Sequence, residues 1–140
     1  IGNAVFGKLE LRLAGRLAPR GDVLVVTTDF HALRSLAIFR RVFGAAYRVA
    51  ALPVPFAGDD RRHRDLAAHE LKSDSRASRE IFALPDLADP AGRVMPVAAG
   101  DETTLLFQLL MNHDFYRHRY DVMRRFAPVL GDANPSEGEN

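Results

Sequence analysis

VLVVTTDFHALR, residues Val23 to Arg34, is the stretch whose reading decides the fold. Val23 to Thr28 is a run rich in β-branched residues, which marks a strand, and it lacks the polar alternation of a sheet with one wet face. Such a strand is expected to be covered on both faces, as in parallel α/β sheets. Two hydroxyls and a carboxylate follow. Leu33, Leu36, Ala37, Phe39 and Phe43 then recur at helical spacing, so a helix is expected from His31 to Phe43, with Thr28 or Asp29 as its cap and Gly44 as its stop.

Upstream, residues 3–18 place Val5, Leu9, Leu13 and Leu17 four apart, with Lys8, Arg12 and Arg16 elsewhere on the wheel. This spacing predicts an amphipathic helix, which the turn chemistry of Pro19-Arg20-Gly21-Asp22 ends. Downstream, Tyr47 to Val54 reads as a second and weaker strand, shortened by Pro53 and Pro55. Strand, helix, strand in this order gives one right-handed crossover and a parallel pair. Two strands make a poor sheet, so the pair is expected to join strands from upstream residues or from another chain. The opening Ile1-Gly2-Asn3, without an initiator Met, agrees with that expectation.

Past Pro55 the character changes from α/β to helical. A long exposed helix is expected from Arg61 to Leu84, broken near Ser73-Asp74-Ser75. Pro85 to Gly100 reads as loop, Asp101-Glu102-Thr103 as the cap of a helix to about Asn112, and Phe115 to Phe126 as another helix. The expected organisation is an α/β unit over residues 1–56, a helical extension over 57–133 and a disordered tail over 134–140.

Composition narrows the function classes. With 140 residues, 47% hydrophobic and 26% charged, the chain suits one globular domain. No run approaches the length of a membrane span, so no membrane insertion by this chain is expected. Zero cysteines remove disulfides, thiol nucleophiles and cysteine metal sites together. A net charge of +1 argues against nucleic acid as a partner. Charge is nonetheless uneven, with eight Lys and Arg against three acids in residues 1–58.

In open parallel sheets ligands bind at the carboxyl ends of strands, beside the free N–H groups of the next helix. Thr27, Thr28 and Asp29 stand at that end, and His31, Arg34 and Ser35 share one side of the helix that follows because i, i+3 and i+4 are neighbours. The expected partner is a small anionic molecule, clamped by Arg34, with His31 as candidate acid/base because its ordinary pKa lies near neutrality. The competing structural reading makes Thr28 and Asp29 caps, and His31 and Arg34 solvated first-turn residues.

The segment VLVVTTDFHALRSLAIFRRVFGAAYRVAALPVPF resembles the signature region of the YdcF/SanA/ElyC-like bacterial family, a domain of unknown function. The resemblance rests on Thr27-Thr28-Asp29-Phe30-His31-Ala32-Leu33-Arg34, followed by Pro53-Val54-Pro55, and covers about residues 2–56. Asn3-Ala4 before an apolar helix is similar to the end of the family's Asn-Thr-x-x-Asn-Ala element, which adds Asn3 to the expected ligand-binding set. The resemblance implies a partial Rossmann-like parallel sheet, the half of a three-layer α/β/α domain, and links to envelope-related processes. It also implies a nucleotide-like or envelope-precursor-related ligand, S-adenosylmethionine being associated with one branch. The helices after Pro55 suit the family's cytoplasmic branch better than its anchored one.

Other constellations are weaker. His69-Glu70 opens like a zinc-protease helix, but Ser73 stands where the second His belongs. His113-Asp114 with His118 has metal-ligand types at poor helical spacing, so no metal is expected. Arg117, Arg119, Arg124 and Arg125 are accompanied by Asp114 and Asp121, as on a solvated face. The residues thus point to an enzyme-like small-molecule site. The alternative is a regulatory module that binds a ligand or a protein without turnover, since no second polar group is visible opposite His31.

Overall fold

The computed structural model describes residues 1–80, 102–112 and 116–130, and of residues 71 and 73–80 the backbone alone. Helix α1 spans Gly2–Leu13, strand β1 Gly21–Thr28, helix α2 Ala32–Phe43, strand β2 Tyr47–Val54 and helix α3 Asp60–Glu80. Helices α4, Thr103–Asn112, and α5, Tyr120–Phe126, complete the described part. The class is α/β, with β1 and β2 forming a parallel pair in which Gly21 registers with Tyr47 and Thr28 with Val54.

Helix α1 stops five residues before Ala18, the expected end, because Gly15 adopts a φ of 65°. Arg16 N–H then bonds Leu11 O at 2.8 Å and Gly15 N–H bonds Arg12 O at 2.9 Å, the paired closure of a left-handed helix cap. Neither Thr28 nor Asp29 caps α2 with its side chain. Asp29 to His31 instead makes a single 3₁₀ turn between β1 and α2, and Asp29 Oδ1 accepts the Phe30 N–H at 2.7 Å. Pro53 sits inside β2 without shortening it, since among the described residues β2 has one neighbour to donate to.

Helix α3 is capped by Asp59, whose carboxylate accepts the Arg62 N–H at 2.8 Å. It runs unbroken through Ser73-Asp74-Ser75, contrary to expectation. The last helix begins at Tyr120 rather than Phe115, with residues 116–118 forming a turn. The loop expected over 85–100 and the tail expected over 134–140 lie outside the described residues.

The core lies on one face of the sheet. Val25 and Val49 point into it from the strands, Ile38, Val42 and Phe43 from α2, and Val5 and Leu9 from α1. Leu106, Phe107, Leu110 and Met111 of α4 and Phe126 of α5 close the same cluster. Phe6 joins the two halves, stacked on Phe126 at 5.8 Å and edge-on to Phe107 at 6.3 Å. Two ion pairs reinforce that junction, Arg41 to Glu102 at 2.6 Å and Arg125 to Glu10 at 2.7 Å.

Two expectations fail here for a tertiary reason. Lys8, assigned by the helical wheel to the polar side, is only 2% exposed and donates from Nζ to Val42 O at 2.8 Å. The strands, expected to be covered on both faces, are covered on one by the described residues. Leu24, Val26, Leu52 and Val54 alternate onto the opposite face and stay 62%, 60%, 50% and 44% exposed, so among the described residues the sheet has two layers, not three.

Candidate functional site

The carboxyl end of β1, the 3₁₀ turn and the first turns of α2 together build the candidate site. His31 stands at the α2 N-cap, and Arg34 and Ser35 follow on its side of the helix, as the i, i+3, i+4 spacing requires. A cleft of about 170 Å³ opens there, lined by Asn3 of α1, Thr27 of β1, and His31, Arg34 and Ser35. Its wall is apolar, formed by Ala4, Val25, Ile38 and Phe39.

Four of the expected residues, Asn3, Thr27, His31 and Arg34, therefore line one cleft, and two do not. Thr28 follows the strand's alternation onto the sheet's bare side, opposite Val54. Asp29 turns to α3, where its Oδ1 lies 3.0 Å from His63 Nε2. That contact and the Phe30 N–H hold the Asp29 carboxyl below its usual pKa of 3.8. The His63 ring stacks on Phe56 at 5.9 Å and meets Phe30 edge-on at 5.7 Å.

Glu70 of α3, which sequence reasoning considered only as part of a failed zinc motif, is the side chain that organises the cleft's edge. It is 7% exposed. Arg34 closes on its carboxylate with a two-pronged fork, Nε to Oε1 and Nη2 to Oε2, the latter at 3.0 Å. His31 Nδ1 lies 2.5 Å from the same Oε1. Arg34 Nη2 also approaches the ring, 3.1 Å from Nδ1 and 3.4 Å from Nε2. Burial, and then the Arg34 charge, push the His31 pKa below its ordinary 6.5, with Glu70 acting in the opposite sense. Below pH 6.5 the unfolded chain thus takes up the His31 proton before the folded chain does, and stability falls as the pH drops through that window.

No local signal places Glu70 there. His63 and Glu70 are seven apart and share a face of α3, but that periodicity does not say where the face docks.

The chemistry available is proton transfer by a neutral imidazole, plus hydrogen bonding by an amide and two hydroxyls. Arg34 contributes less attraction for an anion than a free guanidinium would, because its fork already faces a carboxylate. The cleft volume of about 170 Å³ lies below the roughly 300–1,000 Å³ of pockets that enclose drug-sized ligands. A cleft of that size encloses one small group. Among the described residues no three His, Asp or Glu side chains gather as a metal ion would need, and His113 and Asp114 lie outside them. No described helix is long and apolar enough to cross a membrane. Compared with protein-family models, with curated proteins and with solved structures, the chain finds no match in any of the three.

Proposed function

We propose that the chain is an enzyme-like α/β domain of the YdcF/SanA class that holds a small anionic group in the strand-end cleft, with His31 passing a proton to or from the ligand. The observation that carries this reading is the cleft at the carboxyl end of β1, where Asn3, Thr27, His31, Arg34 and Ser35 meet. Asn3 and Thr27 supply neutral donors, and Arg34 supplies a guanidinium at the rim. A His31 that stays neutral at pH 7 is a competent base there.

Inorganic phosphate is the probe that tests it. Arg34→Ala is expected to weaken phosphate binding by up to about tenfold, at the low end of the roughly 1.5–3 kcal/mol of a charge-assisted contact because the guanidinium already faces the Glu70 carboxylate. His31→Ala is expected to leave phosphate affinity nearly unchanged and to lower any turnover, because the imidazole acts on the moving proton rather than on ground-state binding. Calorimetry on the two variants decides the matter. Unchanged affinity and activity in both, with the fold intact, would remove the site.

A second reading, a protein-binding module without turnover, is favoured by the bare sheet face. Leu24, Val26, Leu52 and Val54 form one apolar stripe, with Val26 and Leu52 opposite each other in register. Size exclusion with light scattering is expected to find the 140-residue chain associated with a second copy, and Val26→Lys with Leu52→Glu is expected to return the monomer. A parent chain that is monomeric at high concentration would count against this reading.

A further inference from the structure

We infer that Glu70 is a positioning residue that fixes His31 as the tautomer protonated on Nδ1, so that Nε2 is the atom that exchanges a proton with the ligand. The inference rests on the cleft reading above for its consequence, though not for its geometry. His31 Nδ1 and Glu70 Oε1 are 2.5 Å apart. Two lone pairs repel at that separation, so one proton lies between them.

Which atom owns the proton follows from Arg34. Its Nε donates to Oε1 and its Nη2 to Oε2, and a carboxylate that accepts a guanidinium fork is held as the anion. The proton therefore belongs to Nδ1. The remaining choice is between neutral ring and imidazolium. Half-burial and the adjacent guanidinium both disfavour a second positive charge, which leaves the neutral ring with a lone pair on Nε2. Arg34 Nη2 lies 3.1 Å from Nδ1 and 3.4 Å from Nε2, so it does not choose between the two nitrogens, and the assignment rests on the Nδ1 to Oε1 contact.

The placement of Glu70 is itself held from elsewhere. Seven residues earlier on the same face of α3, His63 is tied to Asp29 at 3.0 Å and lies on the Phe56 ring. The 3₁₀ turn and α3 are thus joined by two crossed pairs, Asp29 with His63 and His31 with Glu70. Each carboxylate bonds an imidazole of the other element. The second pair sets the tautomer, and the first fixes the height of the helix that carries Glu70. Glu70 bonds the Nδ1 side of the ring and is not among the residues that line the cleft.

The test is nitrogen-15 NMR of imidazole-labelled full chain at pH 7, without ligand, with His31→Gln used to assign the resonance. The expected spectrum shows Nδ1 of His31 as the protonated nitrogen and Nε2 as the bare one. Glu70→Ala is expected to move both shifts toward the tautomer average of a free ring. Glu70→Gln, whose amide oxygen accepts the same hydrogen, is expected to restore the Nδ1-protonated pattern. A parent chain with the proton on Nε2 overturns the inference, as does Glu70→Ala with the shifts unmoved. Should Glu70→Ala fail to fold, the parent spectrum decides alone. If the tautomer is as expected but phosphate does not bind, the cleft reading fails and the role of Glu70 stands.

Discussion

Lys8→Ala is expected to lower the unfolding free energy by about 3–5 kcal/mol, from lost burial of the three methylenes beyond Cβ at roughly 0.8 kcal/mol each and an unpaired buried carbonyl at roughly 1–3 kcal/mol. Lys8 is 2% exposed, so the whole stem packs in the core. Its ammonium caps the last turn of α2 through Val42 O and sits over the rings of Phe43 at 5.6 Å and Tyr47 at 5.9 Å. A cation at a helix C-terminus and over aromatic faces is stabilised by both. Lys8→Met keeps the stem and is expected to recover more than half of the loss, because an apolar side chain of similar shape often replaces a buried charge at little cost. Urea unfolding of the two variants separates stem from charge. Equal losses in both would assign the effect to the ammonium alone.

Leu106→Ala is expected to cost about 2–5 kcal/mol, the range for emptying a buried leucine site. Leu106 lies on α4, more than fifty residues after β2, yet belongs to the same cluster as Val5, Leu9 and Val42. The loss should therefore appear as one lowered transition for the whole chain. Far-UV circular dichroism and tyrosine fluorescence are expected to shift together, since Tyr47 packs against that cluster from the sheet and Tyr116 from the C-terminal side. A variant whose sheet signal keeps the parent midpoint while helix is lost would mean that α4 folds as a separate unit. The same experiment bears on how the two described strands suffice for a core. Helix α2 lies on one sheet face, α1 packs on α2, and α4 and α5 pack on α1, so what a larger sheet would bury is supplied by helical side chains.

Much of the architecture was legible because its signals are local. The run Val23 to Thr28, the helical spacing from Leu33 to Phe43 and the strand Tyr47 to Val54 each declare themselves within a dozen residues. The single crossover between them leaves parallel pairing as the simple outcome. Local chemistry also misled where two local signals competed. Gly15 ended α1 where the leucine spacing continued to Leu17, because a left-handed closing residue satisfies the last carbonyls and the spacing does not.

The candidate site divides along the same line. The His31, Arg34, Ser35 face follows from helix geometry alone, and Thr27 from its place at the end of a strand. What those residues touch does not follow. Arg34 and Glu70 are 36 positions apart, and nothing in either neighbourhood states that α3 returns to the end of β1. By itself, then, the sequence determined the α/β class, the parallel pair and the side of α2 on which polar groups cluster, because backbone propensity and side-chain periodicity act over one or two turns. Only the tertiary structure decided that Lys8 is buried, that Asp29 faces His63 and that Glu70 takes the fork of Arg34. Those contacts depend on how whole elements dock, and docking is set by the summed packing of surfaces far apart in the chain.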